Sequence, residues 1–167
     1  YLNLAKYFVD MRGYDEIHIP DWMEPSYSQN HAPVREQKTA EGHAVRAMYL
    51  FTGMADVAAL KHDTAYVSAL HRLWDNVVGA KMYVTGGIGS SRQNEGFTAD
   101  FDLPNKEAYC ETCASVGMVF WNQRMNQLTG DAKYADVMER SLYNGALAGI
   151  SLQGDKFFYV NPLESDG

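Results

Sequence analysis

Apolar residues in this 167-residue chain recur mostly at helical spacing, and long polar stretches separate the runs. Leu2, Leu4, Ala5, Phe8 and Val9 predict a short helix over about residues 1–11, ended by Gly13. A proline-bearing connection then runs from Pro20 through Pro25 to Pro33. The next helix is expected over about 42–60, with Val45, Met48, Tyr49, Thr52 and Ala59 on one stripe. After Asp63, an N-cap candidate, Tyr66, Val67, Leu70, Leu73, Trp74, Val77 and Val78 follow the i, i+3, i+4, i+7 pattern, and the helix should stop near Gly79. Tyr83 to Gly89 breaks helix and opens a polar loop reaching about residue 107. Helices resume over about 111–128 and 133–149, with Gly130 closing the first and Asp131 capping the second. Lys156 to Val160 reads as a short extended segment. The fold class is therefore all-α, built of packed αα-hairpins, with no strand pattern for a substantial sheet. A solenoid, a bundle and a closed double ring of helices all fit this periodicity.

Charge narrows the partners. Fourteen basic against 21 acidic residues give a net charge of −7, which opposes a phosphate backbone or an anionic membrane surface. Nucleic acid and membrane are thus not expected as partners, and no run of about twenty apolar residues could span a bilayer. Aromatic residues make up 13% of the chain, and their flat faces with polar tips suit either sugars or an ordinary core. The length fits one domain. The chain starts at Tyr1 already in helical pattern and stops just after an apolar run, so residues 1–167 are expected to be an excerpt of a longer domain, truncated at both ends. Apolar faces left uncovered in such an excerpt would favour self-association. Nothing in the sequence points to a compartment.

Candidate chemistry concentrates in the loop and the helix start after it. Glu95 stands between Asn94 and Gly96, where backbone can approach a ligand and a carboxyl can be held partly dehydrated as a proton donor; a solvated loop glutamate is the alternative. Glu111 and Cys113 lie where the loop meets a helix, so a carboxylate and a sulfur could reach one metal ion, aided by the positive end of the helix dipole. Two ligands do not hold zinc, which takes three or four from the protein. The other cysteine is Cys110, and the Cys110-x-x-Cys113 spacing also admits a redox reading, although the strand that precedes such a motif in thioredoxin-type centres is missing. His43 begins a helix beside Gly42 and could point into a site or be structural. The Gly86-Gly87-Ile88-Gly89 stretch lacks the ending of a phosphate loop. Because the irregular loops lie between helices, His43, Glu95, Glu111 and Cys113 could converge on one mouth of a helical barrel.

Four strings in order carry a resemblance: Ser28-Gln29-Asn30-His31-Ala32-Pro33-Val34-Arg35-Glu36-Gln37, Gly42-His43-Ala44-Val45-Arg46-Ala47, Tyr83-Val84-Thr85-Gly86-Gly87-Ile88-Gly89-Ser90 and Tyr109-Cys110-Glu111-Thr112-Cys113-Ala114. They closely resemble the catalytic domain of the β-L-arabinofuranosidases of glycoside hydrolase family 127. The resemblance implies that residues 1–167 are a slice of a single (α/α)6-barrel catalytic domain. It also implies a retaining hydrolase that removes terminal β-L-arabinofuranosyl units from plant-type glycans. In that family a cysteine thiolate is the nucleophile and zinc is held by one Glu and three Cys. Matched by position, Glu111 and Cys113 are zinc ligands, Glu95 is the general acid/base, and His43, Glu139 and Tyr159 contact the sugar. Cys110 matches no ligand position. The adjacent cysteine pair that completes the site is not in this sequence, so these residues alone are expected to be inactive and to hold zinc weakly or not at all. Two other readings remain: a non-catalytic carbohydrate-binding helical domain, and a Cys-x-x-Cys metal or redox module that would need Cys110 as well as Cys113.

Overall fold

The structure, a computed structural model, describes residues 1–14, 20 and 23–166, so part of the connection expected after Pro20 lies outside the described residues. Among these residues the regular elements are helical: α1 (Leu2–Asp10), α2 (Ala44–Lys61), α3 (Thr64–Asn76), α4 (Thr112–Thr129) and α5 (Ala132–Ser141). β-Pairing among them is limited to isolated bridges between loops and helix starts. The caps behave as the sequence predicts. The Asp63 carboxylate accepts from the Ala65 and Tyr66 N–H groups at 3.1 and 3.2 Å, and Asp131 accepts from Lys133 N–H at 3.0 Å. Gly130, at φ +73°, closes α4 in a left-handed conformation that costs glycine little.

Two helix ends differ from expectation. α3 does not stop at Gly79 but widens into a π-helical turn over Val77–Lys81, and α5 passes into one over Leu142–Ala146, then a 3-10 turn over Leu147–Gly149. Widening frees groups for partners outside the helix. Lys81 Nζ donates to Thr98 O at 2.6 Å and Phe101 N–H to Ala80 O at 2.8 Å, tying the end of α3 to the polar loop. The second widened turn lays Gly145 against α4, where a Cβ would stand 2.5 Å from Ser115 Oγ.

The core forms where α2 packs on α4, with α3 and α1 against α2 and α5 against α4. α2 and α4 approach closely at Gly117, where a side chain would collide with Met48 Cβ at 2.6 Å. Phe51 and Trp121 meet at 5.1 Å between ring centroids, and Trp74 stands edge-on to Tyr134 at 4.8 Å. Within this interior Trp74 Nε1 donates to Asn122 Oδ1 at 2.7 Å, and Asn122 Nδ2 donates to Met118 O at 2.8 Å. The predicted α3 face is largely right, since Tyr66, Leu70, Leu73, Trp74 and Val77 are buried. The predicted α2 stripe is not. Of its members only Met48 is buried, while Tyr49 and Ala59 are exposed; the buried face is instead Ala44, Ala47, Met48, Phe51, Met54, Ala55, Val57 and Ala58. With neighbours on several sides, α2 buries a broad face, and close helix contact there selects alanine. On α1 only Val9 is buried, leaving Leu4, Tyr7 and Phe8 exposed; Leu147, Ile150, Leu152, Phe157 and Phe158 are exposed near the other end of the chain.

Candidate active site

The polar loop is pinned to the start of α2. Ser91 and Gly96 exchange both backbone hydrogen bonds at 3.1 Å, Phe97 N–H donates to Gly42 O at 2.9 Å, and Ala44 N–H donates to Glu95 O at 3.1 Å. The approach is so close that a Cβ on Gly96 would lie 1.8 Å from Gly42 O, so only glycine fits. Between these anchors Glu95 takes φ +50°, a left-handed conformation unfavourable for a side-chain-bearing residue. The pinned loop imposes it, and Glu95 consequently turns toward His43.

His43 is the N-cap of α2. Its Nδ1 accepts the Val45 N–H at 3.2 Å, and its Nε2 lies 3.0 Å from Glu95 Oε2, with the Tyr27 ring edge-on at 5.3 Å. A neutral imidazole whose Nδ1 accepts carries its proton on Nε2.

Glu111 comes from the other side as the residue before α4. It pairs through a β-bridge with Val160, and Thr112 N–H donates to Tyr159 O at 3.0 Å, which brings Tyr159 alongside. The Glu111 side chain is buried, and no hydrogen bond of normal geometry reaches either carboxylate oxygen. The Tyr159 hydroxyl faces this carboxylate, which pushes the phenol's pKa up, without the alignment that would satisfy the oxygens. Donor atoms of His43, Glu95 and Glu111 all lie within 4.8 Å of one another. Cys113, in the first turn of α4, is partly buried, and burial together with the Glu111 charge pushes its thiol up.

The structure therefore gathers His43, Glu95, Glu111 and Tyr159 at one place, with Cys113 within reach of the Glu111 charge. Glu139 stands apart, exposed on α5 in a groove with Asp136, Arg140, Tyr143 and Asn144. Tyr109 joins the group unexpectedly: burial and the charges of Glu95 and Glu111 push its hydroxyl up. Its place directly before Cys110-Glu111 was the available signal. Cys110 is different in kind. It is buried beside Tyr83 and Ala108 with Gly87 against its sulfur, and burial pushes its thiol up to about 12. A thiol so held is neither a ready ligand nor a redox partner, which argues against the Cys-x-x-Cys module.

Two different ligand sets can be drawn through Glu111. One joins His43, Glu95 and Glu111, whose donor atoms lie within 4.8 Å of one another, and the other joins Glu111 to Cys113, whose thiol feels the Glu111 charge.

The family profile described as "Beta-L-arabinofuranosidase, GH127 catalytic domain" matches residues 1–167. The chain belongs to this family. It is 45% identical over 180 residues to the "Non-reducing end beta-L-arabinofuranosidase" of Bifidobacterium longum subsp. longum, covering 99% of this chain and 27% of that protein. Among solved structures, it superposes with a TM-score of 0.93 and 52% identity on a GH127 β-L-arabinofuranosidase from Geobacillus stearothermophilus T6, covering 99% of this chain and 28% of that one. It superposes with the same TM-score and 53% identity on another GH127 β-arabinofuranosidase, covering 100% of this chain and 25% of that one. The chain thus spans about a quarter of the length of these relatives. Its helical hairpins follow the (α/α)6-barrel-like architecture of the GH127 structures.

Proposed function

We propose that this chain carries the acid/base residue and part of the metal-binding set of a retaining β-L-arabinofuranosidase that removes terminal β-L-arabinofuranosyl units from plant-type glycans. The observation that carries the reading is the buried Glu111 carboxylate with two unpartnered oxygens, set within 4.8 Å of Glu95. A buried, unsatisfied carboxylate is costly unless a cation compensates it. A carboxylate with a nearby thiol is a donor set suited to zinc, so Glu111 and Cys113 fit as two of its ligands. The resemblance supplies the others from a cysteine pair that this sequence does not contain. Zinc held there would keep a coordinating cysteine ionised at neutral pH, the form a sulfur nucleophile requires.

Glu95 is suited to the other half of the reaction. It is 39% exposed, open enough to meet substrate. Protonated, it gives its proton to the departing glycosidic oxygen as the anomeric C–O bond breaks. Ionised, it then takes a proton from the water whose oxygen bonds the anomeric carbon as that carbon's bond to the nucleophile breaks. Tyr159, His43 and the more distant Glu139 are the proposed sugar contacts. Residues 1–167 alone are expected to release no arabinose, and their exposed apolar residues on α1 and near Phe157 should drive self-association, seen as a mass above monomer by light scattering.

The test uses a full-length GH127 enzyme whose corresponding segment is this sequence. It should release L-arabinose from a β-L-arabinofuranoside, lose that activity on chelation and regain it with zinc. Glu95→Gln should lower the rate by about 10²- to 10⁴-fold. Activity indifferent to both chelator and Glu95→Gln would overturn the proposal and favour a non-catalytic carbohydrate-binding domain.

A further inference from the structure

We infer that the buried Gln29 side chain is a positioning residue that holds the helix start bearing His43 in register with the loop bearing Glu95, an inference that rests on the roles proposed for those two residues. Gln29 is 1% exposed, and its Nε2 donates to three backbone carbonyls: Tyr27 O at 3.2 Å, Glu41 O at 3.0 Å and His43 O at 3.1 Å. An amide nitrogen carries two N–H groups, so at least one is shared between acceptors. Three carbonyls around one atom also fix the amide's orientation, since its oxygen placed there would face acceptors alone. The backbone of Gln29 stands at φ +58°, a conformation unfavourable for a residue with a side chain, whereas glycine would adopt it freely. Glycine could make none of these bonds, and the amide accounts for a glutamine at this place.

The three carbonyls belong to two stretches that meet beside the site. Tyr27 sets its ring edge-on to His43 at 5.3 Å, and His43 N–H donates to Tyr27 O at 3.1 Å. Glu41 and His43 flank Gly42, which is tightly enclosed: a Cβ on it would lie 1.8 Å from Ser26 O, and a Cβ on Gly96 would lie 1.8 Å from Gly42 O. Gln29 therefore holds the residues on either side of Gly42, while the Glu95 loop holds Gly42 and Ala44 through Phe97 N–H to Gly42 O and Ala44 N–H to Glu95 O. Gln29 is itself held. Gln37, also 1% exposed, donates from Nε2 to Gln29 O and Ala32 O, both at 2.9 Å. Tyr27 O and His43 O each keep a second donor, His43 N–H and Ala47 N–H, so loss of the amide leaves the helix start hydrogen-bonded and loosens its placement.

Two substitutions in a full-length enzyme carrying this segment test the clamp. Gln29→Asn keeps an amide and tolerates positive φ, but its side chain is too short to reach the three carbonyls. Gln29→Met keeps the length and removes the donors. Both should retain wild-type helical circular dichroism, and both should lower kcat/KM about 10- to 100-fold on a substrate with a poor leaving group, measured well below the onset of melting. The loss should be smaller on an activated aryl β-L-arabinofuranoside, whose departing oxygen needs no proton. A double-mutant cycle then separates positioning from stability. Because Gln29 acts through the Glu95 loop, Gln29→Asn should cost no more than about threefold in the Glu95→Gln background. If the Gln29 variants melt earlier yet run at the wild-type rate below that onset, or if the two losses multiply, Gln29 is merely structural; the inference is then overturned while the acid/base reading of Glu95 stands. If Glu95→Gln leaves the rate on the poor substrate unchanged, both fall.

Discussion

The α2–α4 interior and the loop that faces it show opposite ways of using buried residues. Between the helices the rings of Phe51 and Trp121 are packed against each other, and Trp74 finds its partner in Asn122. In the loop region, Glu95 and Cys110 sit at positive φ, and Glu111 is buried with neither oxygen hydrogen-bonded. The first region gains from close packing and leaves one indole N–H, Trp121 Nε1, without a partner; the second retains a buried charge and backbone strain. Such strain persists only where surrounding structure determines it, and here the helix starts of α2 and α4 supply that determination. Stability and chemistry are thus spatially separated in this chain, joined at two helix N-termini.

That contrast breaks most visibly in the core. Trp121→Ala removes the largest fully buried side chain among the described residues and should lower unfolding free energy by about 3–5 kcal/mol, read as a reduced denaturant midpoint. The site should respond in the opposite direction. Glu111→Gln removes a buried charge that no well-aligned donor satisfies and should raise metal-free stability by about 1–3 kcal/mol while abolishing any zinc-dependent rise in Tm. A destabilised metal-free variant would mean that Glu111 is compensated after all.

The α3 cap gives a smaller, pH-dependent difference. Burial works to raise the Asp63 pKa, but Arg35 at 3.0 Å and the Tyr66 and Ala65 N–H groups outweigh it and hold the carboxyl below its usual range. Its folded pKa lies under the unfolded value, so its stabilisation is fully present above about pH 4 and is lost as pH falls through the folded pKa. Asp63→Asn keeps an N-cap and should cost under about 1 kcal/mol at neutral pH, with the difference from wild type vanishing in acid. Thermal melts from pH 7 to pH 3 check this.

The two thiols should differ from each other. In a full-length enzyme carrying this segment, Cys110→Ala should cost roughly 1 kcal/mol as a packing change and leave zinc binding intact, whereas Cys113→Ala should remove it. A thiol reagent should label Cys113 in the native chain and reach Cys110 only after unfolding.

The extent to which the sequence revealed this arrangement differs by region for the same reason. On α3, large apolar residues mark one narrow face, and Asp63 announces its start, so the helix is legible. On α2, alanines mark the buried face, and the larger Tyr49 misleads because its ring lies outside. The π-helical turns at Val77–Lys81 and Leu142–Ala146 arise from contacts with distant loops, which no local pattern encodes. Of the candidate site, the motif residues Glu95, Glu111 and Cys113 were visible as residue types. Their convergence depended on the Gly96–Gly42 contact, and the nearness of Tyr109 to the two carboxylates and of His43 to Glu95 required coordinates.

His43 is also the first hydrogen-bonded residue of α2, and helix ends fray before helix middles melt. Warming should therefore release the Val45 amide from His43 and loosen the Ala44 N–H tie to Glu95 O while the Phe51–Trp121 interior is still intact. In a full-length enzyme of this family carrying this segment, heat inactivation should begin reversibly, at a temperature below the loss of helical circular dichroism, with the Val45 amide among the earliest to exchange with deuterium.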